Sequence, residues 1–225
     1  KLVKQMIDRT GSSNINILRT SGLGVGGAIS EGYRFLIQQN QRVINWSAVV
    51  MAGDGQMDSE DLPALLEPLI NHRADYVKGN RNSHIIGLRP MPIVRRIGTF
   101  MLTNLTNLAS GLSIGDSQCG YTAITGKMLE KWNWETNWNG YGYPNWWILE
   151  SSRLGFRIEE APVKAIYGEQ ESGIKVLSFF PKVSIMLFVG LVKRGFQWYI
   201  KGEGNTPMCN RFIVIMGFFV GLFAI

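Results

Sequence analysis

Ala48-Val49-Val50-Met51-Ala52-Gly53-Asp54-Gly55-Gln56-Met57-Asp58 is the stretch that decides the fold, because an apolar run stops abruptly at glycine and a carboxylate. An apolar run broken by Gly-Asp-Gly reads as a buried strand whose carboxyl end opens into a tight loop. In open α/β sheets ligands bind at such strand ends. A carboxylate there, Asp54, with Asp58 four residues on, suits a divalent cation that keeps most of its waters and takes its other ligands from a substrate diphosphate. The opposing reading is that Asp54 only caps the next turn.

Working outward, strand and helix signals alternate. Ile15 to Leu18 reads as a short strand, followed by the glycine loop Ser21-Gly22-Leu23-Gly24-Val25-Gly26-Gly27 and a helical pattern through Tyr33, Phe35 and Leu36. Backbone N–H groups of Gly26 and Gly27 at a helix start suit a phosphate; the spacing matches neither Walker A nor a clean dinucleotide fingerprint, so close helix–strand packing is the other reading. Beyond Asp54, Ser59-Glu60-Asp61-Leu62 starts a helix through Leu65, Leu66 and Leu69. Ala74 to Lys78 is the next strand, ending at Gly79-Asn80-Arg81. The alternation predicts a doubly wound, mostly parallel sheet. Arg81 at that strand end either pairs with a surface carboxylate or meets a diphosphate or acceptor phosphate.

Val94, Ile97, Met101, Leu105 and Leu108 keep helical spacing and Gly111 supplies the stop, which predicts one long amphipathic helix over 94–110. Arg95 and Arg96 lie in its first turn, where the helix dipole disfavours cations, so an anionic ligand, a lipid headgroup or solvent must compensate them. Ile114-Gly115-Asp116-Ser117-Gln118-Cys119-Gly120-Tyr121 then reads as a second active-site wall or a turn capped by Asp116. In Gly140-Tyr141-Gly142-Tyr143-Pro144-Asn145-Trp146-Trp147 the rings either stack on a sugar or base or belong to the core. Phe156 to Val163, with Pro162 near its end, fits an edge strand, and Ile166 to Lys175 reads as a polar flap.

A chain of 225 residues, 45% hydrophobic and 18% charged, holds one catalytic-size α/β core plus something extra. Its net charge of +6 is concentrated at Arg89, Arg95 and Arg96, at Lys193 and Arg194, and at Lys201 and Arg211. The last two groups flank hydrophobic segments, which favours lipid over nucleic acid; no zinc-finger spacing or RNA-binding aromatic motif occurs. The two cysteines, Cys119 and Cys209, form no local metal clip, which fits a reduced cytosolic setting. Val183 to Val192, bounded by Lys182 and Lys193, is too short to span a bilayer and reads as an interfacial helix with Phe196, Trp198 and Tyr199 at headgroup depth. Residues 212–225 carry no charge but cover only about 21 Å at about 1.5 Å per residue, so a span cut short is expected there. Lys1 follows no initiator Met or signal, so the chain is expected to be a fragment.

The ordered set of motifs at Gly24–Gly32, Asp54–Leu62, Gly79–Arg81, Asp116–Tyr121 and Tyr167–Lys175, followed by a hydrophobic tail, resembles the family 2 glycosyltransferases, in particular the dolichyl- or polyprenyl-phosphate sugar synthase branch. The resemblance implies a GT-A fold over 1–175, lacking its first strand and acidic nucleotide-binding motif, a membrane-interfacial region over 176–204 and a truncated transmembrane helix over 211–225. It implies a nucleotide-sugar donor, GDP- or UDP-linked, a polyprenyl phosphate acceptor, and Mg2+ or Mn2+ held at Asp54. Ala52 stands where the family's first D-x-D carboxylate is expected, which leaves the metal one ligand short. By the same resemblance Asp54, Gly55, Gln56, Gly26, Gly27 and Arg81 contact the donor diphosphate. Arg81, Arg95 and Arg96 steer the acceptor phosphate, and Asp116 lies near the anomeric carbon or acceptor, orienting a hydroxyl or assisting attack.

The expected reaction is an inverting sugar transfer at the cytoplasmic face of a membrane. A lipid phosphate, with its second pKa near about 6, is largely dianionic at neutral pH and attacks without a general base. That fits Asn145, which stands where related branches often carry a carboxylate. Two alternatives remain at this stage: a pseudoenzyme that binds a nucleotide sugar without transfer, favoured by Ala52 and Asn145, and a transferase using another lipid or a glycan. The fragment alone is expected to be inactive.

Overall fold

The apolar run at 47–50 pairs with a strand that lies seventy-odd residues away in sequence, because the intervening segment first builds a helix and a second strand on the far side of it. The computed structural model describes residues 15–20, 22, 24–83, 93–164, 166 and 176–200. Along the chain these give α1 (Gly24–Gln39), β1 (Ser47–Val50), a 3-10 turn (Ser59–Asp61), α2 (Leu62–Ile70) and β2 (Tyr76–Asn80). There follow α3 (Ile93–Ser110), β3 (Thr122–Thr125), α4 (Gly126–Glu130), α5 (Tyr143–Arg153), β4 (Ile158–Pro162) and α6 (Val176–Ile200).

The sheet order is β1-β3-β2-β4. β3 runs antiparallel to both β1 and β2, whereas β2 and β4 pair in parallel. Three strands therefore share one direction and β3 is the reversed strand between them: the α/β class is as the alternation predicts, but the described sheet is mixed, with two of its three pairings antiparallel. Pro162 sits at the end of β4, which is an edge strand. Among the described residues β1 is the other edge, with Ser47 exposed, Ala48 buried and Val49 and Val50 half-buried. Residues 15–18 form no strand; Ile15, Ile17 and Leu18 are exposed, so a short apolar run lacking a partner strand stays irregular.

Alternate residues of β2 divide the core. Tyr76 faces a cluster with Tyr33 of α1, Met128 of α4 and Trp147 of α5, while Val77 faces Leu65 and Leu69 of α2. Trp147 is core, stacked on Trp132 at 3.8 Å and edge-on to Tyr33 at 5.3 Å. A third cluster joins Leu102 and Ala109 of α3 and Leu149 of α5 to Val183, Met186, Leu187 and Leu191 of α6.

Helix α3 runs as its periodicity predicts and ends at Gly111, whose φ of +71° is open to glycine at no steric cost. Its apolar stripe is split: Leu105 packs against the third cluster, whereas Ile97 and Met101 turn outward. Ile97, Phe100 and Met101 are exposed, and the buried face carries Leu102, Thr103, Thr106, Ala109 and Ser110. α6 shows the same outward stripe, with Ile185, Phe188, Val189 and Phe196 exposed. The tail at 211–225, residues 201–204 and the side chains of Trp198 and Tyr199 lie outside the described residues. No helix among the described residues is long and apolar enough to cross a membrane.

Candidate active site

The loop after β1 places Asp54 and Gly55 in solvent, with the Gln56 N–H donating to Asp54 Oδ1 at 3.0 Å. Gln56 and Met57 then form one wall of a small cleft of about 40 Å³. Arg81, Gly120, Tyr121 and Lys164 supply the others. Arg81 and Lys164 both line this cleft at the strand ends, each paired with carboxylates of the protein.

Arg81 follows β2 directly and is anchored by Asp116 through two parallel contacts, Nε to Oδ2 at 2.7 Å and a terminal nitrogen to Oδ1 at 3.0 Å. The Arg81 and Gln118 backbone N–H groups also donate to that carboxylate, at 3.3 and 3.2 Å. Asp116 is 1% exposed. Burial pushes its carboxyl up, but the Arg81 guanidinium outweighs burial and holds it below the usual carboxylate range. The loop that carries Asp116 is tied in turn to β4: Glu160 accepts from the Gly115 and Asp116 N–H groups at 2.8 and 3.1 Å. Asp116 is thus closed off from solvent and placed to aim Arg81.

Asp58, expected as a helper at a cation site, is committed elsewhere. Its carboxylate caps the 3-10 turn by accepting from Glu60 N–H at 2.9 Å and pairs with Lys164 Nζ at 2.8 Å. The Lys164 ammonium beside it holds the Asp58 carboxyl below its ordinary value. Lys164 also pairs with Glu60 at 2.6 Å, and its own N–H donates to Asp61 at 2.7 Å. Asp58 caps α2's approach in place of Ser59. Lys164 has no sequence signal beyond its place after β4.

Gly26 and Gly27 open α1, but their N–H groups donate to the Asn139 carbonyl at 2.9 and 3.3 Å. A Cβ at Gly26 would come within 2.1 Å of the Trp138 carbonyl oxygen. Their small size lets the helix start touch the 138–139 backbone, so the packing reading displaces the phosphate reading in this structure. Ser21 and Leu23 of the same loop, and the flap at 167–175, lie outside the described residues, as do the side chains of Arg95 and Arg96 in the first turn of α3.

Asn145 is fully buried at the hub of a polar network. Its amide donates to Thr106 at 2.7 Å and Ser117 at 3.2 Å and accepts from Gln118 at 2.9 Å. The polar inner face of α3 is thereby explained: Thr103 and Thr106 meet Ser117 and Asn145, and the network fixes the loop that carries Asp116. A larger hollow of about 440 Å³ lies apart, between α5 and α6, with the Glu150–Arg153 ion pair, Trp146 and Phe196 in its walls.

Among the described residues no group of three metal-ligating side chains occurs. The carboxylate that the β1 loop offers is Asp54, so the residues fit a cation that draws most of its ligands from a diphosphate and water, and not one caged by protein.

No protein-family model matches the chain. It is 27% identical over 155 residues to a UDP-N-acetylglucosamine–dolichyl-phosphate N-acetylglucosaminyltransferase of Methanococcus voltae, covering 69% of this chain and 60% of that protein. It is 29% identical over 161 residues to an undecaprenyl-phosphate mannosyltransferase of Micrococcus luteus, covering 71% and 63%. An uncharacterized protein of Methanocaldococcus jannaschii is 28% identical over 159 residues, 70% of this chain and 64% of that one. The aligned region spans about three fifths of the length of these relatives. In fold the chain is similar to glucosyl-3-phosphoglycerate synthase of Mycobacterium tuberculosis, with a TM-score of 0.51 at 14% identity over 86% of this chain and 65% of that one. By sequence the chain is similar to the polyprenyl-phosphate sugar transferases of glycosyltransferase family 2, and its fold is that of a GT-A glycosyltransferase.

Proposed function

We propose that the protein of which this chain is part transfers a sugar from a nucleotide sugar to a polyprenyl phosphate, with inversion, at a membrane surface. The observation that carries the reading is the small cleft at the strand ends, lined by Arg81, which buried Asp116 anchors, by Lys164, and by Gln56 and Met57 of the loop that follows Asp54. Likeness to two proteins named as transferases to dolichyl and undecaprenyl phosphate supports the acceptor class.

In this reading Asp54, Gly55 and Gln56 face the donor diphosphate, and Asp54 would hold Mg2+ or Mn2+, which would supply charge neutralisation at the leaving group. Arg81 holds a phosphate, either that of the donor or that of the acceptor. The nucleophile is a phosphate oxygen, already ionised at neutral pH, so Asp116 need not take a proton. Its carboxylate does its work through Arg81, which accounts for its burial. Positioning and charge neutralisation supply the rate.

The exposed stripes of α3 and α6 support the membrane half of the proposal. Ile97, Phe100 and Met101 on one helix and Ile185, Phe188, Val189 and Phe196 on the other present apolar side chains to the outside, with Lys182 and Lys193 exposed along α6. Apolar stripes beside basic residues suit an anionic lipid surface, and in this proposal the catalytic side lies on its cytoplasmic face.

The test is to express the complete protein in membranes and supply labelled GDP- and UDP-sugars with a polyprenyl phosphate and Mg2+. Label in the organic phase, released by mild acid as free sugar, is the expected result. Label appearing in diacylglycerol or glycan would replace the acceptor, and binding of donor without transfer would favour the pseudoenzyme reading that Ala52 keeps open.

A further inference from the structure

Lys78 lies in the middle of β2, opposite Thr122 of β3 and Glu160 of β4, and is fully buried. An ammonium in such a place is unfavourable unless its charge and donors are used, and an unbranched apolar side chain would fill the same space without that penalty. Its Nζ donates to the Cys119 carbonyl. The neighbouring carbonyls are held as well: Tyr143 OH donates to that of Gly120 at 3.3 Å, and the Gly79 N–H to that of Tyr121 at 2.8 Å. Three successive carbonyls of the wall that lines the cleft are therefore each fixed by a different donor. The charged and titratable groups that face Lys78 are Cys119 and Asp116 on the loop before β3, Arg81 beyond β2 and Glu160 on β4. With Lys78 protonated, Arg81 and Lys78 balance Asp116 and Glu160.

We propose that Lys78 is a positioning residue of the cleft: its ammonium ties down the Cys119–Gly120 backbone and completes the charge balance that keeps Asp116 ionised and Arg81 aimed at a phosphate ligand. The consequence for rate rests on the sugar-transfer reading; the positioning itself does not. Burial draws the Lys78 pKa down to about 8. Below that pH the balance is complete. Above it, the deprotonated amine leaves an uncompensated negative charge beneath a site built for anions, so phosphate binding weakens as pH rises through about 8.

The first arm of the test is an NMR titration of the folded, full chain from pH 6 to 10, following the Lys78 ε-methylene and the backbone amides of Gly120, Tyr121 and Arg81. One shared transition is expected. A Lys78 transition that leaves those amides unmoved overturns the proposal, whether or not any sugar is transferred. The second arm compares wild type, Lys78→Met and Lys78→Arg in transfer assays. Lys78→Met is expected to lower kcat/KM by roughly tenfold to a hundredfold and to erase the alkaline fall, with Lys78→Arg restoring the neutral-pH rate and showing no alkaline fall. A Lys78→Met protein that keeps the wild-type pH profile overturns the proposal as well. If wild type transfers no sugar from any donor, the functional reading fails while the titration still decides the role of Lys78.

Discussion

The Asp54 loop and the Asp116 loop look alike as sequence, each a carboxylate among glycines beside an apolar run, yet the fold treats them oppositely. Asp54 stands in solvent. Asp116 is 1% exposed and receives donors from Arg81 and from two backbone N–H groups. The first leaves its carboxylate open to whatever enters from solvent, and the second holds a protein cation in one direction. Under the proposed sugar transfer, the pair would give the site one adaptable wall and one preorganised wall, as departure of a diphosphate under a fixed guanidinium calls for.

The comparison breaks first at Asp116. Asp116→Asn leaves Arg81 poorly paired in a part-buried position and is expected to destabilise the fold by about 3–5 kcal/mol, read by denaturant unfolding at neutral pH. Because the folded-state pKa of Asp116 is depressed, the stabilisation is complete above the ordinary carboxylate value and lost as pH falls through the folded value. The wild-type and Asp116→Asn stability curves should therefore converge in acid; parallel curves would mean that the pair contributes no charge-dependent stability.

Lys78 sharpens the contrast from the other sign of charge. Its pKa of about 8 in the fold lies below the unfolded lysine value of 10.5, so the folded protein carries a penalty that is full below about 8 and relieved between about 8 and 10.5. The stability of wild type relative to Lys78→Met should rise by roughly 3 kcal/mol across that window. A flat difference would place the ammonium in a solvated setting.

Asp54→Asn comes next in order of effect on folding. It should change unfolding free energy by no more than about 0.5 kcal/mol, as exposed substitutions do, while lowering transfer by about 10²–10³-fold if the diphosphate meets this carboxylate. The smallest expected effect on stability belongs to the paired change Phe100→Ser with Ile185→Ser. Both side chains are exposed, so the thermal midpoint should hold while sedimentation with anionic vesicles weakens; unchanged sedimentation would remove these stripes from the membrane account.

Much of this division was out of reach of the sequence. The β1 end, the α3 span and its glycine stop, and the edge position of β4 follow from local patterns, because turn chemistry and periodicity are local. Which face of α3 turns inward does not, since the stripe Val94, Ile97, Met101, Leu105 and Leu108 gives the helix's amphipathicity but not its partner, and of it Ile97 and Met101 end exposed. The inward face mixes apolar Leu102 and Ala109 with Thr103 and Thr106, and the two threonines are tolerated there because they answer Ser117 and Asn145, partners supplied by another part of the chain. The Arg81–Asp116 pair spans 35 residues, and the Lys164–Asp58 pair spans 106; long-range contacts of this kind leave no spacing signature. Gly26 and Gly27 mislead for the same reason, because Asn139, which takes their N–H groups, is far along the chain. Lys78 reads only as a residue near a strand end until the strand is placed between two others.

The most direct test sets Asp54→Asn beside wild type in the complete, membrane-bound protein, measuring label transfer to polyprenyl phosphate and thermal unfolding on the same preparations. Transfer lowered by about 10²–10³-fold at an unchanged unfolding midpoint is the predicted result, since the exposed wall is expected to act through its ligand. Undiminished transfer by a correctly folded Asp54→Asn protein would contradict the account.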